Sequence, residues 1–503
     1  MTIAHPFLAR AEADPRGLAL SVTGGARWTY ALLRERALRV AAALRADAGR
    51  QGVREPLLGL LLDSRGEFAE LFLGAALAGV PVMVLDPSWG EGELSSVLGD
   101  TPPEWLVCEP ARLDRLRGLF PSPMPMGGAY ESWLDGARPL PGELAPVPES
   151  APFYVPFTSG STGRPKGAVR SHRSWLRTFD RSDREFGIAA GDHILVPGSL
   201  THSHFLYGLL HGLAAGATVH LMRHFDAEVA LDLVRRHRIA HVYLVPTMFA
   251  ALERAGGPPG GAGFPEVRSL LSAGSKWPVE SRLRVAELFP GADAVEFYGA
   301  TELSFVSVLH SGDGPLESVG RPFAGVEIRL RATDGTEAAP GEPGILHVRS
   351  DMLFTRYLSA HDAGRPDADG WYTVGDVARL DADGYLHLVG RASRMIVSGG
   401  LNVHPEEVET VLSTWPEVAE AAVVGLPDPY WGEVVTAVLR WRDPARLTRA
   451  EIRDRAATRL TRAKCPQRIF TATGIPRTPA GKIAYPILRD ALLAGAATLQ
   501  ELD

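Results

Sequence analysis

Between positions 56 and 246 the chain alternates short apolar runs with longer amphipathic segments. The apolar runs have the length of buried strands, and the segments at 68–78 and 227–236 carry apolar residues at helical spacing. The runs are LLGLLLD, VPVMVLD, WLVCEP, HILVPG, ATVHLM and HVYLVP. Strands that alternate with helices predict an α/β architecture with a substantial parallel sheet.

The pattern changes after position 322 to short strands joined by turns. The segment Asp381-Ala382-Asp383-Gly384 predicts a tight hairpin turn. Further on, Pro405-Glu406-Glu407 predicts the first turn of a helix, because proline and acidic residues are favoured there. Thr448 and Glu451 form a capping-box pattern ahead of another helix. About 110 residues of mixed α+β pattern therefore follow the hairpin, enough to fold as a domain of their own.

The composition is that of a globular chain. Its 503 residues are 45% hydrophobic and 22% charged, and 59 acidic against 52 basic residues give a formal net charge of -7. Without a basic tail, this charge disfavours nucleic-acid binding. Cys108 and Cys465 are too few for a disulfide framework or a zinc site, so we expect a reducing, cytoplasmic compartment. We see no secretory signal, and the longest apolar run, 71–85, is too short to span a bilayer. Since Gly79 and Pro81 interrupt that run, it predicts a helix that ends at Gly79 and then a buried strand.

Arginine occupies nearly every basic position. The 52 basic residues include lysine only at Lys166, Lys276, Lys464 and Lys482. Such a bias is typical of a GC-rich genome, so each retained lysine is a candidate for a role that the planar guanidinium group of arginine cannot fill. Chance retention is the alternative interpretation.

Residues 157–167, FTSGSTGRPKG, place four hydroxyl residues and two glycines before Lys166. Glycines permit a backbone in which successive N–H groups converge on an anion, hydroxyls add donors and the lysine adds charge. The pattern is not Walker A, because Gly160 and Gly163 are three apart and no Gly-Lys-Ser/Thr follows. The segment is a candidate polyphosphate-binding loop; the alternative is a serine- and glycine-rich surface loop without a ligand.

With Ala168 the same segment resembles the signature of the adenylate-forming superfamily, which includes acyl-CoA synthetases, peptide-synthetase adenylation domains and beetle luciferases. Three further segments are similar to motifs of that family, in the family's order. They are YGATE at 298–302, GWYTVGD at 370–376 with Gly390-Arg391, and PRTPAGK at 476–482. The resemblance implies a large N-terminal α/β domain at 1–391, with two sheet-helix subdomains and a small β-barrel, and a small mobile α+β C-terminal domain at 392–503.

The resemblance implies that a carboxylate attacks the α-phosphate of ATP to give an acyl-adenylate and pyrophosphate. The resemblance implies three catalytic residues. Lys482 would bridge the carboxylate and the α-phosphate, Thr301 would bind the α-phosphate, and Glu302 would be the Mg²⁺ ligand. The implied ATP- and AMP-binding residues are Thr158, Ser159, Gly160, Ser161, Thr162, Gly163, Lys166, Tyr298, Gly299, Asp376 and Arg391. Taken singly, such residues also occur as solvated loop acids, core tyrosines, turn aspartates and surface lysines.

In the implied second step, the thiol of coenzyme A attacks the adenylate carbonyl after the small domain rotates. Ser398, Gly399 and Gly400 would line the thiol channel, with the hinge at Ser393. The chain departs from the family pattern here, since Ser393 and Arg394 stand where the family usually has an aspartate or lysine followed by an acid. Tyr485 stands where the family often has arginine. These departures motivate the hypothesis that adenylation is weak while thioester formation is retained.

The acid substrate is predicted only by class. The segment 197–205 lacks the aspartate with which peptide-synthetase domains pair the substrate amino group, which disfavours an α-amino acid. The candidate acyl-pocket residues are His202, His204, Phe205, Gly274 and Ser275, and packing is the alternative role for the histidines. An aryl, aliphatic or polycyclic small-molecule acid stays open. Free CoA is the leading acceptor, a separate acyl carrier protein the second, and a non-catalytic ligand-binding relative the third interpretation.

Overall fold

The computed structural model describes the chain except residues 52–55, 138–145, 160–164, 257–262, 333, 360, 363, 399–400, 430, 463, 479–480 and 503. The chain forms two compact units. The first comprises Met1–Ile328 and Val348–Tyr372, and the second comprises Arg329–His347 and Thr373–Asp503. The domain boundary after Arg391 stays a prediction.

The helices are α1 (His5–Ala13), α2 (Tyr30–Gln51), α3 (Gly66–Ala78), α4 (Glu91–Asp100), α5 (Leu113–Leu116), α6 (Gly128–Asp135), α7 (His172–Phe186), α8 (Ser203–Ala215), α9 (Ala227–His237), α10 (Pro246–Ala255), α11 (Val279–Leu283), α12 (Val285–Leu288), α13 (Pro405–Ser413), α14 (Arg449–Ala456) and α15 (Tyr485–Leu493). Short 3₁₀ turns lie at Pro110–Arg112 and Ala392–Arg394.

The strands are β1 (Leu18–Val22), β2 (Arg27–Thr29), β3 (Leu58–Leu61), β4 (Val82–Val84), β5 (Trp105–Cys108), β6 (Met124–Pro125), β7 (Pro152–Val155), β8 (Phe157–Ser159), β9 (Pro165–Ser171), β10 (His193–Val196), β11 (Thr218–Leu221), β12 (His241–Leu244), β13 (Ser269–Ser272), β14 (Asp293–Ala300), β15 (Ser304–Leu309), β16 (Arg321–Pro322), β17 (Glu327–Arg331), β18 (Gly344–Arg349), β19 (Arg356–Tyr357), β20 (Trp371–Tyr372), β21 (Asp376–Leu380), β22 (Leu386–Arg391), β23 (Ile396–Ser398), β24 (Leu401–Val403), β25 (Val418–Asp428), β26 (Gly432–Trp441), β27 (Arg468–Ala472) and β28 (Leu499–Glu501).

Two mixed sheets organise the first unit. Within its described residues, one sheet has the order β16-β15-β14-β13-β12-β10-β11-β1-β2, and strands β1 and β10 to β14 run parallel to their neighbours in that series. The other has the order β19-β9-β7-β4-β3-β5-β6, with β8 paired to β9 and a parallel centre. The sequence-predicted α/β architecture with parallel sheets is confirmed.

Helix α3 and strand β4 show how the local sequence sets these elements. Nearly every residue of α3 is buried, as expected of a helix in which all residues but Glu67 and Glu70 are apolar or glycine. The helix ends where Gly79 takes a φ of +76°, a left-handed conformation that glycine adopts readily. The buried strand β4 follows at once, so the helix and strand predicted from the 71–85 run are confirmed.

The second unit contains a sheet with the order β24-β23-β26-β27-β28, with β25 paired to β26. Successive residues of β25 point to opposite faces, so Val423 packs with Val408 of α13, whereas Val424 packs with Leu488 of α15. The hairpin between β21 and β22 is confirmed, with Gly384 at a φ of +82°. The helix start at Pro405 and the capping box of α14 are confirmed as well.

A further sheet has the order β17-β18-β21-β22, with β20 paired to β18, and its strands are divided between the two units. The small β-barrel that the resemblance implies stays a prediction. Cys108 and Cys465 are buried free thiols. Among the described residues, we find no helix with both the length and the apolar character needed to cross a membrane.

Candidate active site

The candidate phosphate loop connects the two strands of an antiparallel hairpin in the first unit. In this hairpin Thr158 of β8 lies opposite Lys166 of β9, and Ser159 lies opposite Pro165. The hairpin therefore holds both ends of the loop in fixed register. The predicted phosphate-binding residues Gly160, Ser161, Thr162 and Gly163, and the side chain of Ser159, lie outside the described residues.

The second motif lies at the end of β14 and in the turn to β15. Gly299 is required there, because a Cβ atom at this position would lie 2.0 Å from the carbonyl oxygen of Ser304. The turn that follows is closed by a hydrogen bond from the Leu303 amide to the Ala300 carbonyl at 3.0 Å. Thr301 and Glu302 lie inside this turn, and Tyr298 lies on the strand that leads into it.

Folding brings the two motifs together, although they are far apart in the sequence. The Thr158 hydroxyl donates to Glu302 Oε1 at 3.4 Å, and the Tyr357 hydroxyl donates to the same oxygen at 2.8 Å. Glu302 is only 6% exposed. Burial, and next the charge of Glu302, raise the pKa of Tyr357, so its phenol stays a donor at neutral pH. Tyr357 was not among the residues predicted from the sequence, which carries no local signal for it.

Arg170 is a second residue that the sequence analysis missed. Its side chain is almost fully buried, and it donates to the carbonyl oxygens of Thr301 and Met352, both at 2.6 Å. Burial lowers the pKa of Arg170 to about 10, so the guanidinium is still charged at neutral pH. Arg170 thereby supports the turn that carries Thr301 and Glu302. An arginine inside an otherwise buried strand was the available signal.

Lys166 has defined partners in the first unit. Its ammonium lies 3.4 Å from Asp362 Oδ1 and 5.6 Å from the ring centroid of Tyr357. The lysine side chain is about a quarter exposed. The lysine is thus held next to the tyrosine that contacts Glu302.

Of the candidate acyl-pocket residues, His202, His204 and Phe205 follow strand β10, and Gly274 and Ser275 follow strand β13. His204 donates from Nε2 to the Leu244 carbonyl at 2.9 Å, and its ring lies 5.3 Å from those of Tyr243 and Phe297. Burial lowers the pKa of His204 to about 4, so the imidazole is neutral at pH 7. The buried Nδ1 atom has no hydrogen-bond partner among the described residues.

The other predicted pocket residues differ in exposure. Phe205 is buried, and its ring fills the space where a side chain at Gly198 would stand. His202, Gly274 and Ser275 are exposed, and Gly274 has a φ of +93°. The carboxyl ends of parallel strands are where ligands bind in open α/β sheets, so this edge suits a substrate pocket.

In the second unit, the predicted ribose-binding residues form a pair. Asp376 and Arg391 lie directly opposite each other on β21 and β22, and Arg391 Nε donates to Asp376 Oδ1 at 2.8 Å. Asp376 is 6% exposed. Gly375 has a φ of +80°, which allows the sharp turn into β21.

Lys482 lies close to this pair within the second unit. Surrounding protein and then Arg391 lower the pKa of Lys482, whereas Asp376 raises it, so all three side chains are within electrostatic reach. The side chain nevertheless keeps exposed surface. Within the described residues Lys482 forms no ion pair, unlike the other three lysines. Their carboxylate partners are Asp362 for Lys166, Glu296 for Lys276 and Glu407 for Lys464.

The predicted hinge and thiol-channel residues are only partly described. Ser393 lies in the 3₁₀ turn Ala392–Arg394, directly after Arg391. Ser398 is 4% exposed, and its buried hydroxyl has no partner among the described residues. Gly399 and Gly400 lie outside the described residues.

Glu302 fits the metal ligand that the resemblance implies. Both hydrogen bonds that the carboxylate accepts from described residues go to Oε1, which leaves Oε2 for a cation. The described residues hold no cluster of three or more His, Cys, Asp or Glu side chains that could bind a metal by itself. Mg²⁺ commonly takes one or two carboxylates and completes its shell with water and phosphate oxygens, so a single glutamate is a suitable ligand.

Comparison with known proteins identifies the family of this chain. The family model for the AMP-binding enzymes matches residues 7–358, and the model for the AMP-binding enzyme C-terminal domain matches residues 407–482. The chain therefore belongs to the AMP-binding enzyme family, the adenylate-forming superfamily that the motifs resemble. Its mixed α/β fold, with a large N-terminal and a small C-terminal domain, is the fold of that superfamily.

Three similar proteins place the chain within the family. It is 36% identical to an uncharacterized acyl-CoA ligase, YhfT, of Bacillus subtilis, over 96% of this chain and 97% of the relative. It is 34% identical to the feruloyl-CoA synthase of an Amycolatopsis species, over 94% and 96% of the two chains. The solved o-succinylbenzoate CoA synthetase of Bacillus subtilis, in complex with its acyl-adenylate intermediate, matches with a TM-score of 0.84 at 27% identity and covers 97% of each chain.

Proposed function

We propose that this chain activates an apolar aryl or fatty carboxylic acid as its acyl-adenylate and transfers the acyl group to free coenzyme A. The chain is an ATP-dependent, AMP-forming acid–CoA ligase, whose substrates are a carboxylic acid, ATP and CoA. The size and shape of the acid and the roles of individual residues are the proposed part.

The first half-reaction joins two anions. A carboxylate oxygen forms a bond to the α-phosphorus of ATP, and the bond from that phosphorus to the bridging oxygen breaks to release pyrophosphate. Donors and cations must therefore neutralise charge and align the reactants. We assign the triphosphate to the loop between Thr158 and Lys166 and the α-phosphate to Thr301. Glu302 would hold Mg²⁺, which neutralises phosphate charge when bound.

The observation that carries this proposal is the grouping of Asp376, Arg391 and Lys482 in the second unit. An aspartate paired with an arginine offers both acceptors and donors to ribose hydroxyls. The nearby ammonium of Lys482 forms no salt bridge within the described residues, so no carboxylate contacts it directly there. It is therefore available to stabilise charge that develops between carboxylate and phosphate.

In the second half-reaction the thiol sulfur forms a bond to the acyl carbon, the bond from that carbon to the AMP oxygen breaks, and the thiol proton is released. We assign the thiol path to Ser398, Gly399 and Gly400, and the rotation between the two steps to Ser393. Support comes from the buried, unpartnered hydroxyl of Ser398 and from the turn that contains Ser393.

The test separates the two half-reactions in Lys482→Ala. We expect acyl-adenylate formation to fall by about 10²- to 10³-fold, the range for loss of one transition-state donor, while CoA acylation from supplied acyl-adenylate stays within about threefold. Lys464→Ala, which removes an ion-paired lysine of the same unit, is the matched control and should leave both steps unchanged. An unaltered adenylation rate in Lys482→Ala contradicts the assignment.

A panel of aryl, fatty and polycyclic acids, incubated with ATP and CoA and analysed by mass spectrometry, tests the substrate class and the acceptor. Thioester without a carrier protein supports free CoA, whereas product only with an acyl carrier protein supports the second acceptor. Wild-type rates from acid plus ATP and from supplied acyl-adenylate test the weak-adenylation hypothesis, which equal rates would reject. The cytoplasmic location expected from the two cysteines stays a prediction.

A further inference from the structure

The sequence departs from the family pattern at Ser393, Arg394 and Tyr485, and two of these residues, Arg394 and Tyr485, contact each other in the second unit. The guanidinium carbon of Arg394 lies 3.4 Å from the ring centroid of Tyr485. A cation over an aromatic face is attracted by the ring quadrupole, and arginine is well suited to stack there. The family usually has an acid at the first position and often an arginine at the second. This chain therefore replaces an expected acid and arginine with an arginine and an aromatic ring.

Two carboxylates of α13 complete the contact. Arg394 donates to Glu406 Oε1 and to Glu409 Oε1, both at 2.7 Å, and to the Val423 carbonyl at 3.1 Å. The Tyr485 hydroxyl donates to the other oxygen of Glu409 at 3.2 Å. We call Arg394, Tyr485, Glu406 and Glu409 the Arg394 cluster.

The Arg394 cluster is largely buried, so its charge balance depends on the arginine. The side chains of Arg394 and Glu409 are 18% and 14% exposed. Burial raises the pKa of Glu406 and of Glu409 above the ordinary value, and the positive charge of Arg394 offsets part of that rise. An acid at position 394 would place a third negative charge between two buried carboxylates, which is strongly unfavourable without a cation.

The cluster adjoins the Lys482 loop on one side. Tyr485 is the first residue of α15 and follows Lys482 by three positions. The loop is closed by hydrogen bonds from the Thr478 amide to the Lys482 carbonyl at 2.7 Å and from the Ala484 amide to the Pro476 carbonyl at 2.8 Å. The backbone of Lys482 is thus fixed by the hydrogen bonds of its own loop, three residues before the ring of Tyr485 that stacks on Arg394.

On its other side the cluster adjoins the ribose-binding strand. A Cβ atom at Gly390 would lie 2.3 Å from Glu406 Oε2. The carboxylate therefore packs directly on the Gly390 backbone. Arg391, the next residue, binds Asp376. The Arg394 cluster therefore contacts both the segment that carries Arg391 and the segment that follows Lys482.

We propose that Arg394 is a positioning residue for adenylation, which acts through Tyr485 to place the Lys482 ammonium beside Asp376 and Arg391. The pair Arg394–Tyr485 takes the place of the acid and arginine that are usual in the family. This inference rests on the proposed role of Lys482 in the first half-reaction. The contacts of Arg394 described above are with Glu406, Glu409, the Val423 carbonyl and Tyr485, so we assign it a positioning role and not a catalytic one.

The experiment compares half-reactions in Arg394→Asp, Tyr485→Arg and the double variant, which restores the family pattern at these two positions. Each single change places like charges together, so we expect the kcat of adenylation to fall at least about tenfold at unchanged ATP KM. The rate of CoA acylation from supplied acyl-adenylate should stay within about threefold of wild type. A residue that only stabilised the fold would lower both half-reactions alike. In the double variant, the introduced aspartate and Glu409 flank the introduced arginine, and adenylation should recover to within about threefold of wild type.

Arg394→Lys keeps the charge but not the flat stacking surface, so it should fold and lose adenylation to an intermediate extent. Arg455→Met is the matched control, because Arg455 also lies over an aromatic ring, that of Trp415, and pairs with Glu417 in the same unit. It should leave both half-reactions unchanged. Equal loss of both half-reactions in Arg394→Lys, or no recovery in a folded double variant, overturns the positioning role.

The Lys482→Ala result distinguishes the two levels of inference. If Lys482→Ala abolishes adenylation while Arg394→Asp and Arg394→Lys leave it intact, the proposed function stands and the positioning role fails. If Lys482→Ala leaves adenylation intact, the role of Lys482 fails, and the positioning role fails with it.

Discussion

The phosphate-loop region of the first unit and the ribose–lysine region of the second unit arrange their charges differently. In the first unit, Lys166 is held by Asp362 and Tyr357, and Glu302 accepts from Thr158 and Tyr357. In the second unit, Asp376 and Arg391 neutralise each other, whereas Lys482 forms no ion pair with a described residue.

This difference separates two demands on an adenylating enzyme. Groups that bind ATP in its ground state benefit from fixed partners, because their geometry is then set before the substrate arrives. A group that acts on charge developing in the transition state has to keep its own charge available. We therefore expect substitutions in the two regions to change different kinetic parameters.

The largest effect is expected for Glu302→Gln in the first unit. The amide keeps an acceptor for Tyr357 but loses the charge that would hold Mg²⁺, so adenylation should fall by about 10²- to 10³-fold. The rate should be measured against Mg²⁺ concentration, and half-saturation should shift upward. Supplied acyl-adenylate provides the control reaction, which we expect to proceed normally. An unchanged Mg²⁺ dependence would assign the metal to other residues.

A smaller and qualitatively different effect is expected for Lys166→Ala. Since Lys166 is held in place beside the loop, its loss should raise the KM for ATP by about tenfold with little change in kcat. Lys482→Ala should instead lower kcat with little change in the KM for ATP. Steady-state kinetics of both variants, with Lys464→Ala alongside, measure the contrast. If both lysines change the same parameter, the distinction between the two regions is wrong.

The smallest effect concerns the stability of the first unit. His310 lies 2.6 Å from Asp293 and 3.0 Å from Glu185. Hydrogen bonds to these carboxylates, with the larger contribution from Asp293, raise the pKa of His310 to about 9. A raised histidine pKa stabilises the fold fully below pH 6.5, and the stabilisation is lost as pH rises through about 9. After allowance for screening of the partly exposed side chain, the loss should be on the order of 1 kcal/mol.

Urea unfolding between about pH 6 and 10 measures this loss. In His310→Gln the decline between pH 6.5 and about 9 should disappear, whereas His347→Gln, which changes a histidine bound to the Ile345 carbonyl, should retain it. A wild-type free energy of unfolding that is constant across this range would show that the His310 contacts do not stabilise the folded state.

The sequence predicted much of the fold because its signals are local. Gly79 ends a helix through its own backbone conformation, and Thr448 with Glu451 caps one within a single turn. The Asp381–Gly384 turn joins two adjacent strands. The motifs also located Glu302 on a turn and Asp376 at the start of a strand, and the pairing of Asp376 with Arg391 follows from the register of one hairpin.

Other features depended on contacts between segments far apart in the chain. Tyr357 reaches Glu302, Arg170 supports the Thr301 carbonyl, and Arg394 stacks on Tyr485, yet no local pattern links these residues. The sequence by itself determined the α/β pattern, the end of α3, the start of α13, the cap of α14, the motif residues and the family. Only the tertiary structure decided which distant side chains surround them, because helical and strand periodicity specifies which face of an element is buried but not the residue that packs against it.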